Sequence, residues 1–112
     1  MLARPFRLRL RQDIGRAYRH SRRHNSANLE FRVVANQLPR SRATIVISTK
    51  VAKRAVVRNR ARRRLRGLLR ETWPQIKPGY DVLITSRSDL SGLTTQQLRT
   101  EVTELLQKAQ LL

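Results

Sequence analysis

The chain has no cysteine, so disulfides, thiolate zinc sites and a thiol nucleophile are all excluded. Acidic residues are scarce: seven Asp plus Glu stand against 25 Lys plus Arg in 112 residues, a net charge of +18. A free monomer with that excess repels itself, so the charge reads as a device for binding a polyanion. Aromatics are only 4% of the chain, which leaves few flat surfaces for stacking. No apolar run approaches the roughly 18–20 residues that span a bilayer. The Arg-rich start MLARPFRLRLRQ has no uninterrupted apolar core of a secretory signal, because Arg7, Arg9 and Arg11 break it. An organellar transit peptide would leave little domain behind. The cytosol is therefore the expected location, with no membrane partner.

What is present is enough for one domain, 1–112, with residues 1–10 expected as a flexible basic arm. Hydrophobic residues make up 39% and recur with clear periods, which argues against a wholly disordered basic tail. The charges are uneven. No acid lies between Glu30 and Glu71, whereas residues 50–70 hold ten Lys or Arg. One surface should be strongly positive and the C-terminal third close to neutral.

The periodicities predict helix, strands, helix, strand, helix. Ile14, Ala17 and Tyr18 follow i, i+3, i+4 in a helix over 11–20. LEFRVVAN (29–36) alternates, with Leu29, Phe31, Val33 and Ala35 on one side and Glu30, Arg32, Val34 and Asn36 on the other. QLPRSR reads as a hairpin loop, and ATIVIS (43–48) as a strand pairing with the first. YDVLITS (80–86) is a further strand. The last helix, about 94–110, carries Thr94 and Gln97 as a capping box and Leu98, Val102, Leu105, Leu106 and Ala109 as its apolar stripe.

Residues 51–71, VAKRAVVRNRARRRLRGLLRE, read as one basic amphipathic helix. At 100° per residue Val57, Leu68, Ala61, Leu65 and Leu69 cover an arc of about 120°, wide enough to pack on a sheet. Arg62, Arg66, Arg70, Arg63 and Arg60 occupy the other side with Asn59, and Arg58 and Arg64 stand at the two edges of the arc. A solvated helix mixes signs at i,i+4, and this one does not. Arginine's planar fork suits phosphate contact and base stacking. A membrane-surface helix would need large apolar residues facing outward, and this arc is the size of a core stripe. His20 and His24 read as surface histidines rather than a general acid–base pair, and Asp13, Asp81 and Asp89 do not form a metal motif.

Arg58-Asn59-Arg60 followed by Arg62-Arg63-Arg64-Leu65-Arg66 resembles the signature of the bacterial ribonuclease P protein subunit. Arg7-Leu8, Asp13, Ile14, Tyr18, Phe31, Tyr80-Asp81-Val82 and Arg87 are similar to its other segments, so the resemblance spans nearly the whole chain. There are departures. Ala52 and Lys53 stand where a glycine often precedes the helix, and Gly67 replaces a frequent carboxylate inside it, at about 1 kcal/mol against alanine. Ile14 and Tyr18 stand where Phe is common in the first helix, and Val34 replaces a frequent aromatic.

The resemblance implies an α/β (α+β) sandwich: a four-stranded, mostly antiparallel sheet, with the basic helix in a left-handed β-α-β crossover. It implies a non-catalytic subunit. A large RNA with bound Mg2+ would remove the 5′ leader of precursor tRNA, one protein would bind each RNA, and the protein itself would hold no cofactor or metal. Lys50, Lys53, Arg54, Arg58, Asn59, Arg60, Arg62, Arg63 and Arg66 would bind the ribozyme RNA, with Asn59 either bridging RNA groups or capping backbone. Arg11, Ile14, Tyr18, Phe31 and Val33 would line a cleft for the single-stranded leader, bordered also by Arg7, Arg9 and Arg16. For Ile14 and Val33, plain core packing is an equal reading. Rival classes are a ribosomal protein or RNA chaperone, and a self-sufficient nuclease.

Overall fold

Strand YDVLITS has three successive residues, Val82, Leu83 and Ile84, with no solvent exposure. A strand buried on both faces belongs in the middle of a sheet, and that is where it lies. The computed structural model describes residues 6–7 and 11–112. In chain order these form α1 (Arg11–His20), β1 (Arg22–Asn25), β2 (Leu29–Ala35), β3 (Arg42–Val46), α2 (Ala55–Thr72), a 3-10 turn at Trp73–Gln75, β4 (Tyr80–Ser86) and α3 (Thr95–Lys108). The sheet order is β1-β2-β4-β3. β1 with β2 and β2 with β4 are antiparallel, while β3 with β4 is parallel. Helix α2 is the crossover between the parallel pair.

Two expectations about pairing are corrected here. The 43–48 segment does not pair with the 29–36 strand, and QLPRSR is not a hairpin loop: β4 lies between them, with Phe31 opposite Ile84 and Ile84 opposite Ile45. β4 is buried on both faces, in the core on one side and through Leu83 and the buried Asp81 under α1 on the other, which suits the central position. The chain instead turns at Asn36, whose Oδ1 accepts from the Leu38 N–H at 2.8 Å, with Gln37 at φ 59°. The strand absent from the sequence reading is Arg22–Asn25, a polar edge strand, RRHN, held by β2. The basic helix begins at Ala55 rather than Val51, because Val51 and Ala52 close a turn on the Ser48 carbonyl. Ala35, expected on the buried side, is exposed at the strand end.

Strand alternation separates the two faces of the sheet. Leu29, Phe31, Val33, Ala43, Val82 and Ile84 face α2 and α3, and with Leu65, Leu69, Leu98, Val102, Leu105 and Leu106 they form the core. Of the helix stripes read from periodicity, Ala61, Leu65, Leu68 and Leu69 on α2 and Leu98, Val102, Leu105 and Leu106 on α3 are buried, Ala109 is buried at the C-cap, and Val57 is only partly covered. Both halves of the Thr94–Gln97 capping box form. The opposite face carries Arg32, Asp81 and Arg42, and α1 lies there, contacting β2 and β4.

Helix α1 is fastened by an ion-pair cluster. Asp81, fully buried, accepts from Arg42 Nε at 2.9 Å and Nη2 at 2.7 Å, from Asn36 Nδ2 at 2.8 Å and from Arg16 Nη2 at 3.2 Å. Arg42 also reaches Asp13 at 3.2 Å. The hydrogen bond to Asp81 raises the Arg42 guanidinium above its ordinary value, against the opposing effect of burial. Arg16, read as a phosphate contact at the border of the cleft, gives its Nη2 to Asp81 and remains about one-third exposed, at 36%.

A polycationic helix beside a half-covered sheet

The two arginines at the edges of the α2 apolar arc hold the helix in place. Arg58 Nη1 donates to the carbonyls of Ala52 at 3.0 Å and Lys53 at 2.8 Å, tying the preceding turn to the helix. Arg64 donates to the Leu90 carbonyl at 3.0 Å and also to Leu93, securing the loop before α3. Asn59 caps no backbone; its Oδ1 accepts from Arg62 Nη1 at 2.9 Å, which orients that guanidinium.

The remaining cations are presented outward. Lys50, Lys53, Arg54, Arg60, Arg63 and Arg70 are exposed and Arg66 is half-buried, and none of these side chains has a hydrogen bond or ion pair among the described residues. Arg54 is the N-cap residue, without a side-chain cap bond, and no acid stands in the first turn of α2. Cations at that end oppose the helix dipole, so the free helix is electrostatically unfavourable along its length. Anions placed on it would relieve both effects.

On the opposite face of the sheet, the predicted cleft residues divide. Arg11 is exposed, Ile14 is partly covered, and Tyr18 is 46% exposed. Phe31 and Val33 do not belong with them. Both are essentially unexposed and point into the α2–α3 core, away from Tyr18, because strand alternation sends them to the other face. The residue that does join Tyr18 is Arg32. Its guanidinium lies 5.2 Å from the ring centroid, donates to the Tyr18 carbonyl at 3.2 Å and pairs with Glu30 at 2.9 Å. The signal for Arg32 was available in the alternation of 29–36, which set it opposite Phe31. Of the expected N-terminal contacts, Arg7 bridges to Ala43, while Arg9 and the rest of the 1–10 arm apart from Phe6 lie outside the described residues.

His20 is exposed at the end of α1. His24 is half-buried in β1, where burial, with Arg22 and Lys108 nearby, holds its imidazole below the ordinary value. Asp13 and Asp81 do converge, but on Arg42 as ion-pair partners. Among the described residues no three His, Asp or Glu side chains gather as metal ligands, and no helix is long and apolar enough to cross a membrane.

Fold and surface together define a class: a small α+β domain that displays a polycation on one helix of a β-α-β unit. The ribonuclease P family model matches residues 2–110, and the chain belongs to that family. The ribonuclease P protein component of a Cyanothece species is 38% identical over 128 residues, covering 100% of this chain and 98% of that protein. That of a Synechococcus species is 41% identical over 118 residues, covering 100% and 87%. Among solved structures, the RNase P protein of Thermotoga maritima matches with a TM-score of 0.82 at 25% identity, over 91% of this chain and 96% of that one. A mutant RNase P protein of Staphylococcus aureus matches with a TM-score of 0.88 at 21% identity, over 96% and 91%, a likeness of fold.

Proposed function

We propose that this protein is the RNA-binding subunit of a cytoplasmic ribonuclease P holoenzyme, one copy per RNA, assisting removal of the 5′ leader from precursor tRNA. The observation that carries the proposal is the unpaired guanidinium surface of α2, anchored at its edges by Arg58 and Arg64. Arg54, Arg60, Arg62, Arg63 and Arg66, with Lys50 and Lys53, neutralise phosphates of the RNA subunit. Arg58 contributes mainly by fixing the helix start, and Asn59 by orienting Arg62. The outer sheet face beside α1 receives the single-stranded leader, with Tyr18 and Arg32 as a stacked platform and Arg11 at its border. The chemistry belongs to the RNA and its Mg2+, and this chain supplies positioning and charge.

The test mixes the pure protein with a cyanobacterial ribonuclease P RNA and precursor tRNA at low magnesium. Leader release that needs both macromolecules is the expected result. Cleavage by an RNA-free sample would overturn it in favour of a nuclease, and RNA binding without leader release in favour of a general RNA chaperone. If about 6–10 phosphates are neutralised, affinity for the RNA should fall about 10³- to 10⁵-fold between roughly 50 and 200 mM salt.

A further inference from the structure

Val56, in the first turn of α2, is 68% exposed, the most of any large hydrophobic side chain among the described residues. Single apolar residues on a surface are ordinary, so exposure alone assigns nothing. The surroundings of Val56 do. Its neighbour Val57 packs against the core, which turns Val56 about 100° away, onto the outer face of the helix. At that spacing Val56, Arg60 and Arg63 fall within about 60° of one another, along about 10 Å of helix. Arg60 and Arg63 are exposed and have no partner among the described residues. Every other outward position from Asn59 to Arg70 is asparagine, arginine or glycine, so Val56 is an apolar point set within the polycation.

The fold gives no reason for valine there. Val56 is outside the core cluster and outside the partly covered side chains that pack on it. Its β-branch restricts χ1 in a helix, so alanine or arginine would favour the helix more. A further arginine would also extend the charge. The exposed Ala55 beside it widens the apolar spot by one methyl group. Helix α2 carries no aromatic ring on which a base could stack, so apolar contact from its outer face has to come from these two residues.

We infer that Val56 is an apolar contact to the RNA subunit, its two methyl groups packed on a ribose of the strand whose phosphates Arg60 and Arg63 hold. The wide, shallow minor groove of A-form RNA presents its sugars at the surface, within reach of a short side chain. Attraction between guanidinium groups and phosphates acts over several ångströms and tolerates sliding of the helix along the strand. Dispersion and apolar burial act only at contact, so Val56 fixes the register of α2 on the RNA. The inference rests on α2 as the RNA-binding helix and adds a contact on it that salt does not weaken.

The experiment compares Val56→Ala, Val56→Ile and Arg63→Ala with wild type. For each, the thermal midpoint, the sedimentation behaviour and the affinity for transcribed cyanobacterial ribonuclease P RNA across a salt series are measured. Val56→Ala should unfold no lower than wild type, since the side chain packs on nothing. It should bind the RNA about fivefold more weakly at every salt concentration, with an unchanged log–log slope. Val56→Ile keeps the branch and adds a methylene, and should restore the affinity lost in Val56→Ala. Arg63→Ala should instead make the slope shallower by about one unit. Wild-type affinity in Val56→Ala would overturn the inference while leaving α2 as the RNA-binding helix, and so would a loss that disappears at high salt. An equal loss in Val56→Ile would overturn it too, since apolar area would then count for nothing. A lowered midpoint for Val56→Ala would make Val56 a part of the fold, and altered self-association with unchanged RNA affinity would make it a contact between copies of the chain. Failure of the wild type to bind that RNA would remove the functional reading and this contact together.

Discussion

Asp81→Asn tests whether the buried ion-pair cluster is what fastens α1 to the sheet. The carboxylate accepts four hydrogen bonds, two of them from Arg42, whose side chain is only 11% exposed. Neutralising it leaves Arg42 with Asp13 at 3.2 Å as its one acidic partner, and leaves Arg16 without one. Removing one partner of a buried pair costs about 3–5 kcal/mol, because the other charge stays desolvated and uncompensated. A domain of this size loses about 4 °C of thermal midpoint per kcal/mol, so the expected drop is about 12–20 °C. The assay is thermal and urea unfolding of wild type, Asp81→Asn, Arg42→Met and the Asp81→Asn/Arg42→Met double variant. The double variant removes both charges and should recover more than half of the single-variant loss. A drop of less than about 4 °C for Asp81→Asn would refute the reasoning, and so would a double variant as unstable as the sum of the singles. Because the cluster joins α1 to β3 and β4, Asp81→Asn should also blunt the preference for precursor over mature tRNA in the assembled holoenzyme.

Three other outcomes follow from named contacts. Arg64→Ala should lower stability by about 2–3 kcal/mol in urea unfolding, through loss of the bonds to Leu90 and Leu93, while leaving the salt slope of RNA binding nearly unchanged; a large change in slope with intact stability would make Arg64 a phosphate contact. Tyr18→Ala should weaken precursor tRNA binding by about 1–3 kcal/mol relative to mature tRNA, and equal losses for both would take Tyr18 out of the leader site. At Glu101, burial pushes the carboxyl up, but hydrogen bonds from the Ser26 hydroxyl and from the Asn28 side-chain and backbone N–H groups outweigh it and hold the group below its ordinary 4.5. The unfolded chain then binds the proton more readily, so this stabilisation is complete above pH 4.5 and is lost as the pH falls through the folded value. Glu101→Gln should be less stable at neutral pH and lose less on acidification, and an unchanged acid limb would contradict this.

Features that depend on near neighbours were legible in the amino-acid order. Periodicity located the buried stripes of α2 and α3, and the Thr94–Gln97 spacing gave the cap, because residues three or four apart meet on a helix whatever surrounds it. The same arithmetic put Arg58 and Arg64 at the edges of the apolar arc, where they now bond to carbonyls. The all-basic outer face of α2 was equally plain, since no acid stands in that stretch to neutralise it.

Pairing across the sheet was decided elsewhere. Alternation showed that Phe31 and Val33 share a face and that Arg32 has the other, but only the docking of α2 and α3 on one side and α1 on the other made Phe31 core and Arg32 the neighbour of Tyr18. Arg22–Asn25 has no apolar pattern of its own and becomes a strand because β2 offers it an open edge. The insertion of β4 between β2 and β3, and the meeting of Arg42 with Asp81 39 positions away, depend on which strand gains most from burial on both faces. Local order along the chain therefore determined the helices, their faces and the charge they present. Only the tertiary structure selected the strand neighbours, because contacts between distant segments are settled by competition among whole elements for the same buried place.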